Sequence, residues 1–190
     1  MIQRVNPYIA SADSLLLDHL SLLVELDRCL PILDLACGRG RNGLALAEHG
    51  ASVVFADKSS SALESVEQRL AEDDLPGSVW QVDLEEPGSN PFAEFSFGAV
   101  IGFRYLHRPL FPALKNSVIG GGLLVYETFT IEQRRFGRPN NPDYLLQPNE
   151  LQEMFQAWEI IYHFEGVQLN PERHVAQIVA RKPARYGNRD

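Results

Sequence analysis

Apolar and polar positions in this chain switch repeatedly between two periods, and the switches mark out its elements. Ser14 to Leu26 is amphipathic, rich in Leu and poor in β-branched residues, which predicts an N-terminal helix within residues 11–28. Pro31 to Leu35 is a short apolar run that reads as a buried strand and stops at a glycine cluster. Leu44 to Glu48 then has helical spacing, with Gly50 where a helix C-cap belongs. Ala51 to Ala56 predicts a second strand ended by Asp57, and Ser59 to Ala71 a helix whose serine-rich start can cap it. After a turn at Pro76-Gly77, Val79 to Val82 reads as a third strand ending at Asp83. Phe97 to Phe103 reads as a fourth strand, and Leu123 to Phe129 as a fifth, after a turn at Gly120 to Gly122.

Strands alternating with helices require crossovers, so the pattern predicts a doubly wound α/β fold with a mostly parallel sheet. The tail breaks that rhythm. A helix near Asn149 to Gln156 precedes two strand-like runs, Trp158 to Phe164 and His174 to Ala180, with only nine residues between them. Nine residues holding Gly166 and Pro171 cannot form a right-handed helical crossover, so this pair is expected as an antiparallel hairpin. The whole chain, 1–190, reads as one domain. Residues 131–148 are too long and Pro-rich for a plain connection and suit a lid over a substrate, or an extended loop packed by Tyr144 and Leu145.

Composition narrows the partners. Seventeen Lys and Arg against 25 Asp and Glu give a net charge of −8, the wrong sign for a duplex-binding surface, so small molecules are expected instead of nucleic acid. No apolar run approaches the roughly 20 residues of a bilayer span. The first residues lack a secretory pattern, which makes the cytoplasm the default location. The two cysteines, Cys29 and Cys37, are too few for a disulfide framework and have no zinc-type spacing, so both are expected as reduced thiols.

The chemistry begins at Asp34-Leu35-Ala36-Cys37-Gly38-Arg39-Gly40-Arg41-Asn42-Gly43, between the first strand and a helix. Gly38, Gly40 and Gly43 match G-x-G-x-x-G, a turn that lets backbone approach a ligand at a helix N-terminus. Asp57 closes the next strand about 20 residues on, where a ribose would be read. A dinucleotide and S-adenosylmethionine (SAM) both satisfy that pattern. Asp34 favours SAM, because a carboxylate beside the turn repels a pyrophosphate and attracts an ammonium and a sulfonium. The same carboxylate would also serve to order the loop, and Asp83 would also serve as an ordinary strand-end turn residue.

The glycine segment, Asp57, Asp83 and the terminal hairpin together resemble the class I SAM-dependent methyltransferases, from about Leu30 to Lys182. Arg41-Asn42 and the small, acidic chain further resemble the tellurite-resistance branch. The resemblance implies a seven-stranded sheet with its last strand antiparallel, and SAM as cofactor. It places Gly38 and Gly40 at the amino-acid part of SAM, Asp57 at the ribose hydroxyls, and Asp83 and Leu84 at the adenine, with Asn42 and Lys58 also among the cofactor-binding residues. Gly102 and Phe103 would lie beneath the cofactor. The Asn-Pro-Pro-Tyr or Asp-Pro-Pro-Tyr tetrapeptide of amide-nitrogen and nucleobase methylation is replaced here by Phe103-Arg104-Tyr105-Leu106-His107-Arg108-Pro109, which argues against a nucleobase acceptor.

Arg39, Arg41, Arg104, Arg108, Arg134, Arg135 and Arg138 all fall in segments after strands, the edge where open α/β sheets bind ligands. A cationic rim over an acidic protein would gather an anionic acceptor, although each Arg taken singly is equally at home in solvent or in an ion pair. Arg104 and Arg108 are candidates for positioning the substrate. His107 is a candidate proton acceptor, or simply a residue that orders its loop. The expected activity is therefore methyl transfer from SAM to a small anionic or soft nucleophilic acceptor. A nicotinamide-dependent oxidoreductase and a non-catalytic SAM-binding domain are the rival readings.

Overall fold

Strongly apolar strands and one-sided helices fold into three layers. The computed structural model describes residues 11–26 and 30–184. Its strands are β1 (Ile32–Leu35), β2 (Val53–Asp57), β3 (Gly77–Gln81), β4 (Phe97–Phe103), β5 (Val118–Phe129), β6 (Glu159–Gln168) and β7 (Arg173–Arg181). They form one sheet in the order β3-β2-β1-β4-β5-β7-β6. β1 to β5 pair in parallel, and β7 runs antiparallel to both β5 and β6. The expected parallel sheet and antiparallel hairpin are both present.

Helices cover the two faces: α1 (Ser14–Asp18), α2 (Leu20–Val24), α3 (Arg41–Glu48), α4 (Ser60–Glu72), α5 (Phe111–Ser117) and α6 (Glu150–Met154). α4 starts at the capping serine that the sequence offered, since Ser59 Oγ accepts from Ala62 N. One core holds Leu16, Leu23, Leu46, Phe55 and Val66, and the opposite one Leu33, Phe97, Leu114, Tyr126 and Phe155. Phe55 and Phe97 are fully excluded from solvent, which contributes about 1.5–3 kcal/mol each.

Several boundaries differ from expectation, and most of the differences have local causes. The N-terminal helix is two helices broken at His19. Its Nδ1 bonds Leu15 O at 3.0 Å, taking the carbonyl that a continuing helix would give to His19 N–H, and that N–H turns to Leu16 O. The end of the expected helix, residues 27 and 28, and Cys29 lie outside the described residues. The glycines 120–122 do not form a turn before β5 but lie inside it, where pairing shifts register between Phe97 and Ala99. A Cβ on Gly122 would stand 2.6 Å from Gly98 O, so only glycine permits that close approach. β3 starts earlier and ends at Gln81, leaving Asp83 two residues beyond it. Residues 131–148 carry two short 3-10 turns, Ile131–Arg135 and Pro142–Tyr144. Among the described residues, no helix is long and apolar enough to cross a membrane.

Candidate functional site

The strand order reverses direction between β1 and β4, so the loops leaving their carboxyl ends part and open a crevice. A cavity of about 180 Å³ sits there, lined by Ala36, Asp57, Lys58, Val82, Asp83, Leu84, Glu85 and Tyr105. Four of the expected residues, Asp57, Lys58, Asp83 and Leu84, thus converge although they come from two loops. Asp57 fastens the site: Oδ2 accepts from Gly38 N at 2.7 Å and Oδ1 from Ser59 N at 2.9 Å. Each oxygen keeps a further lone pair for a ligand hydroxyl. Asp83 Oδ1 accepts from Glu85 N at 2.9 Å, which turns the chain around the cavity.

The glycine loop divides its labour. Around Gly38 nothing lies within 4 Å of where a Cβ would be, so this face is open to a ligand. Gly43 serves packing instead: its Cβ would stand 2.4 Å from Phe55 Cε1 and 2.7 Å from Asp34 Oδ2. Asp34 is buried and accepts from Gly43 N at 2.9 Å, the loop-ordering role left open above. Burial raises its carboxyl to about 7, against the Gly43 N–H and the Arg41 charge, which lower it. Burial likewise pushes the Cys37 thiol far up, with help from Asp34 and Asp57, so this free cysteine is no nucleophile.

Other expected residues go elsewhere. Asn42 turns toward the N-terminal segment, where Oδ1 accepts from Asp13 N at 2.9 Å and Nδ2 donates to Asp13 Oδ2 at 3.2 Å. At Gly102 an added Cβ would stand 2.3 Å from the Tyr126 ring, so this glycine makes room for a neighbouring strand's side chain. Phe103 packs on the core beside α1 to α4. Arg108 is wholly engaged: Nε and Nη2 donate to Glu150 at 2.5 and 2.8 Å, and Nη1 and Nη2 to the carbonyls of Asp143 and Leu145 at 2.9 and 2.8 Å. It straps residues 143–145 to α6. The His107 imidazole is half-buried, makes no hydrogen bond among the described residues and lines neither this cavity nor the next.

The cationic rim is smaller than its sequence suggested. Arg135 pairs with Glu132, Arg39 lies exposed over α4, and Arg134 and Arg138 are exposed. Three arginines do converge, on the buried carboxylate of Asp13: Arg41, Arg104 at 3.3 Å and Arg173 at 3.6 Å. Arg173 also faces the buried Glu127 at 3.4 Å. Asp13, Glu127 and Arg173 escaped sequence reasoning, since no spacing links residues so distant. Glu127 alone left a signal, as a lone charge inside an apolar strand. Tyr105, Glu85, Ala36 and Val82 were also missed, each one or two residues from an expected position.

Glycine loop, switch-point crevice and sheet order match the fold of class I SAM-dependent methyltransferases, and a methyltransferase-domain family model matches residues 32–118. Among similar proteins is the probable SAM-dependent methyltransferase TehB of Haemophilus influenzae, 23% identical over 141 residues, covering 72% of this chain and 48% of that protein. Hemagglutinin 1 of Eikenella corrodens is 27% identical over 142 residues, 72% of this chain and 46% of that one. The chain thus spans about half the length of the curated relatives it matches. The crystal structure of TehB from Haemophilus influenzae superposes with a TM-score of 0.71 at 20% identity, covering 88% of this chain and 61% of that one. Magnesium protoporphyrin IX methyltransferase from Synechocystis, with S-adenosylhomocysteine bound, gives 0.61 at 16% identity over 80% and 74% of the two chains. SAM is the cofactor of this class.

Proposed function

We propose that the chain transfers a methyl group from SAM to a small anionic or soft nucleophilic acceptor held at the carboxyl edge of β4 and β5. One observation carries the reading. The cavity holding Asp57, Asp83 and Leu84 shares Lys58, Glu85 and Tyr105 with a second cavity, whose lining adds Arg104. Cofactor and acceptor would thereby lie side by side.

The residues present suit SAM. Asp57 would accept from the ribose hydroxyls, Asp83 from the adenine amino group beside Leu84, and Lys58 would flank the ribose. The open face at Gly38, with Gly40 behind it, would take the amino-acid part, whose ammonium Asp34 favours across the loop. When bound, SAM supplies a methyl group on a positively charged sulfur. The chain's own part is to align the acceptor and exclude water, and such alignment contributes about 7–11 kcal/mol in oriented reactions. Arg104 favours a negative acceptor electrostatically. Arg108 is held by Glu150 and by the carbonyls of Asp143 and Leu145, and His107 lines neither cavity, so this scheme gives neither of them a positioning role.

Calorimetric titration with SAM, S-adenosylhomocysteine and NAD tests the reading. Binding of the first two without NAD is expected, and tight binding of NAD alone would overturn it.

A further inference from the structure

The second cavity has about 330 Å³, and its walls describe what it holds. Leu106 and Phe129 line it from the segment after β4 and from the end of β5. Pro139 and Tyr144 line it from the 131–148 segment. Tyr144 is 49% exposed, a large ring turned to water on the apolar side of a cavity whose other side is polar. Soluble proteins keep such surfaces chiefly where a ligand covers them. An inorganic oxyanion would occupy only the polar side and leave water against Leu106, Phe129, Pro139 and Tyr144, whereas a ring-sized body covers them.

Four polar side chains line the cavity, Lys58, Glu85, Arg104 and Tyr105; Lys58 and Glu85 offset each other in charge, which leaves Arg104 and Tyr105 to orient the occupant. Arg104 sits in the left-handed region at φ +60°, its backbone N–H donating to Glu127 O at 2.8 Å, and its guanidinium is tied to Asp13 at 3.3 Å. Three guanidinium groups, Arg41, Arg104 and Arg173, face only two carboxylates, Asp13 and Glu127, so the cluster carries one positive charge in excess. Arg104 brings that charge to the cavity wall, with 39% of its side chain exposed. The Tyr105 hydroxyl lies between the two cavities, buried, without a hydrogen-bond partner among the described residues. Burial, and then the charges of Glu85, Asp83 and Asp57, push its phenol well above the usual range, so it remains a donor. A buried donor lacking a protein acceptor calls for one on the ligand.

We propose, building on the methyl-transfer reading, that this cavity takes an organic anion, an apolar body of about one ring bearing a carboxylate or thiolate, in preference to an inorganic oxyanion. Arg104 pairs with the charge, Tyr105 donates to the anion, and Phe129 and Tyr144 enclose the body. In the reaction a lone pair of the anionic oxygen or sulfur forms the bond to the methyl carbon while the carbon–sulfur bond breaks, its electron pair remaining on sulfur. The acceptor becomes neutral, the sulfonium becomes a thioether and no proton is released. A group already ionised at neutral pH needs no general base, which agrees with a lining that includes no histidine.

The test uses the full chain saturated with S-adenosylhomocysteine and titrated with benzoate, benzenethiolate, acetate and selenite. Benzoate or benzenethiolate should bind at least about tenfold more tightly than acetate or selenite, the scale on which an apolar pocket discriminates. Turnover with SAM, read by product mass, then distinguishes an ester from a thioether. Y144S should weaken the aromatic anion several-fold with cofactor affinity unchanged. Because Tyr144 is exposed, Y144S tests the enclosure without disturbing the core. Arg104→Met should weaken benzoate and acetate alike. Selenite binding as tightly as both aromatic anions, or Y144S leaving them unaffected, overturns the inference while SAM binding and methyl transfer stand. Failure to bind S-adenosylhomocysteine at all overturns the methyl-transfer reading together with it.

Discussion

Replacing Arg108 with Met keeps most of the apolar stem and removes four hydrogen bonds, two to the Glu150 carboxylate and two to the carbonyls of Asp143 and Leu145. The side chains of Arg108 and Glu150 are 35% and 19% exposed, so the pair lies between surface pairs, worth about 0–1 kcal/mol, and buried ones, whose rupture costs about 3–5. About 2 kcal/mol for the pair, and about 1 more for the carbonyl of buried Leu145, gives about 3 kcal/mol. At about 2–4 °C per kcal/mol for a chain of this size, Tm should fall by roughly 6–12 °C. Urea unfolding at pH 7 measures the loss, and limited proteolysis should show cleavage concentrated in residues 131–148. The pH dependence gives a second reading. Burial alone would raise the Glu150 carboxyl, but the Arg108 bonds and the Gln147 N–H outweigh it and hold the group below its usual 4.5. A lowered carboxyl contributes stability above the unfolded value and loses it as pH falls through the folded one. The gap between wild type and variant should therefore be constant from pH 6 to 8 and shrink below about 4.5. Wild-type stability in R108M, with a raised acceptor KM, would refute this reasoning and return Arg108 to the substrate site.

Asp57→Ala should weaken SAM by about 1.5–3 kcal/mol, the scale of hydrogen bonds to a charged group, and unchanged calorimetric affinity in a folded variant would remove Asp57 from the site. Gly43→Ala forces a methyl against Phe55 and Asp34 and should cost about 1–3 kcal/mol, visible as a lower Tm. Asp34 has its folded value raised from 3.8 to about 7, so it contributes stability below pH 4 that is lost as pH rises through 7. Asp34→Asn should flatten that slope in urea titrations at pH 5 and 8, and an unchanged slope would assign the pH dependence to another group.

The sheet was legible because its signals are local. β1, β2 and β4 are nearly continuous apolar runs, as strands covered on both faces must be, and nine residues between two such runs exclude a crossover. The errors arose where one interaction overrode pattern. The split at His19 comes from a side chain competing for a backbone carbonyl, and Leu-rich amphipathicity cannot register that. Gly120 to Gly122 has turn composition, yet Gly122 answers to a contact with Gly98 from the neighbouring strand.

The same contrast runs through the site. Asp57, Lys58, Asp83 and Leu84 were legible because strand ends at a switch point are brought together by topology, which the alternation of elements already specifies. Side-chain direction is a separate matter. Arg104 and Arg108 leave the same loop four residues apart, yet one reaches the cavity wall and the other straps residues 143–145 to α6. Which of them faces a ligand was decided by partners at Asp13 and Glu150, far off in sequence. A cationic rim counted from the sequence therefore overstates the charge a substrate meets: Arg108 and Arg135 are paired with carboxylates, while the excess charge comes from a cluster completed by Arg173 in the hairpin. Anion selectivity in this crevice should accordingly follow substitutions at Arg104 and Arg173 more closely than those at Arg134, Arg135 or Arg138.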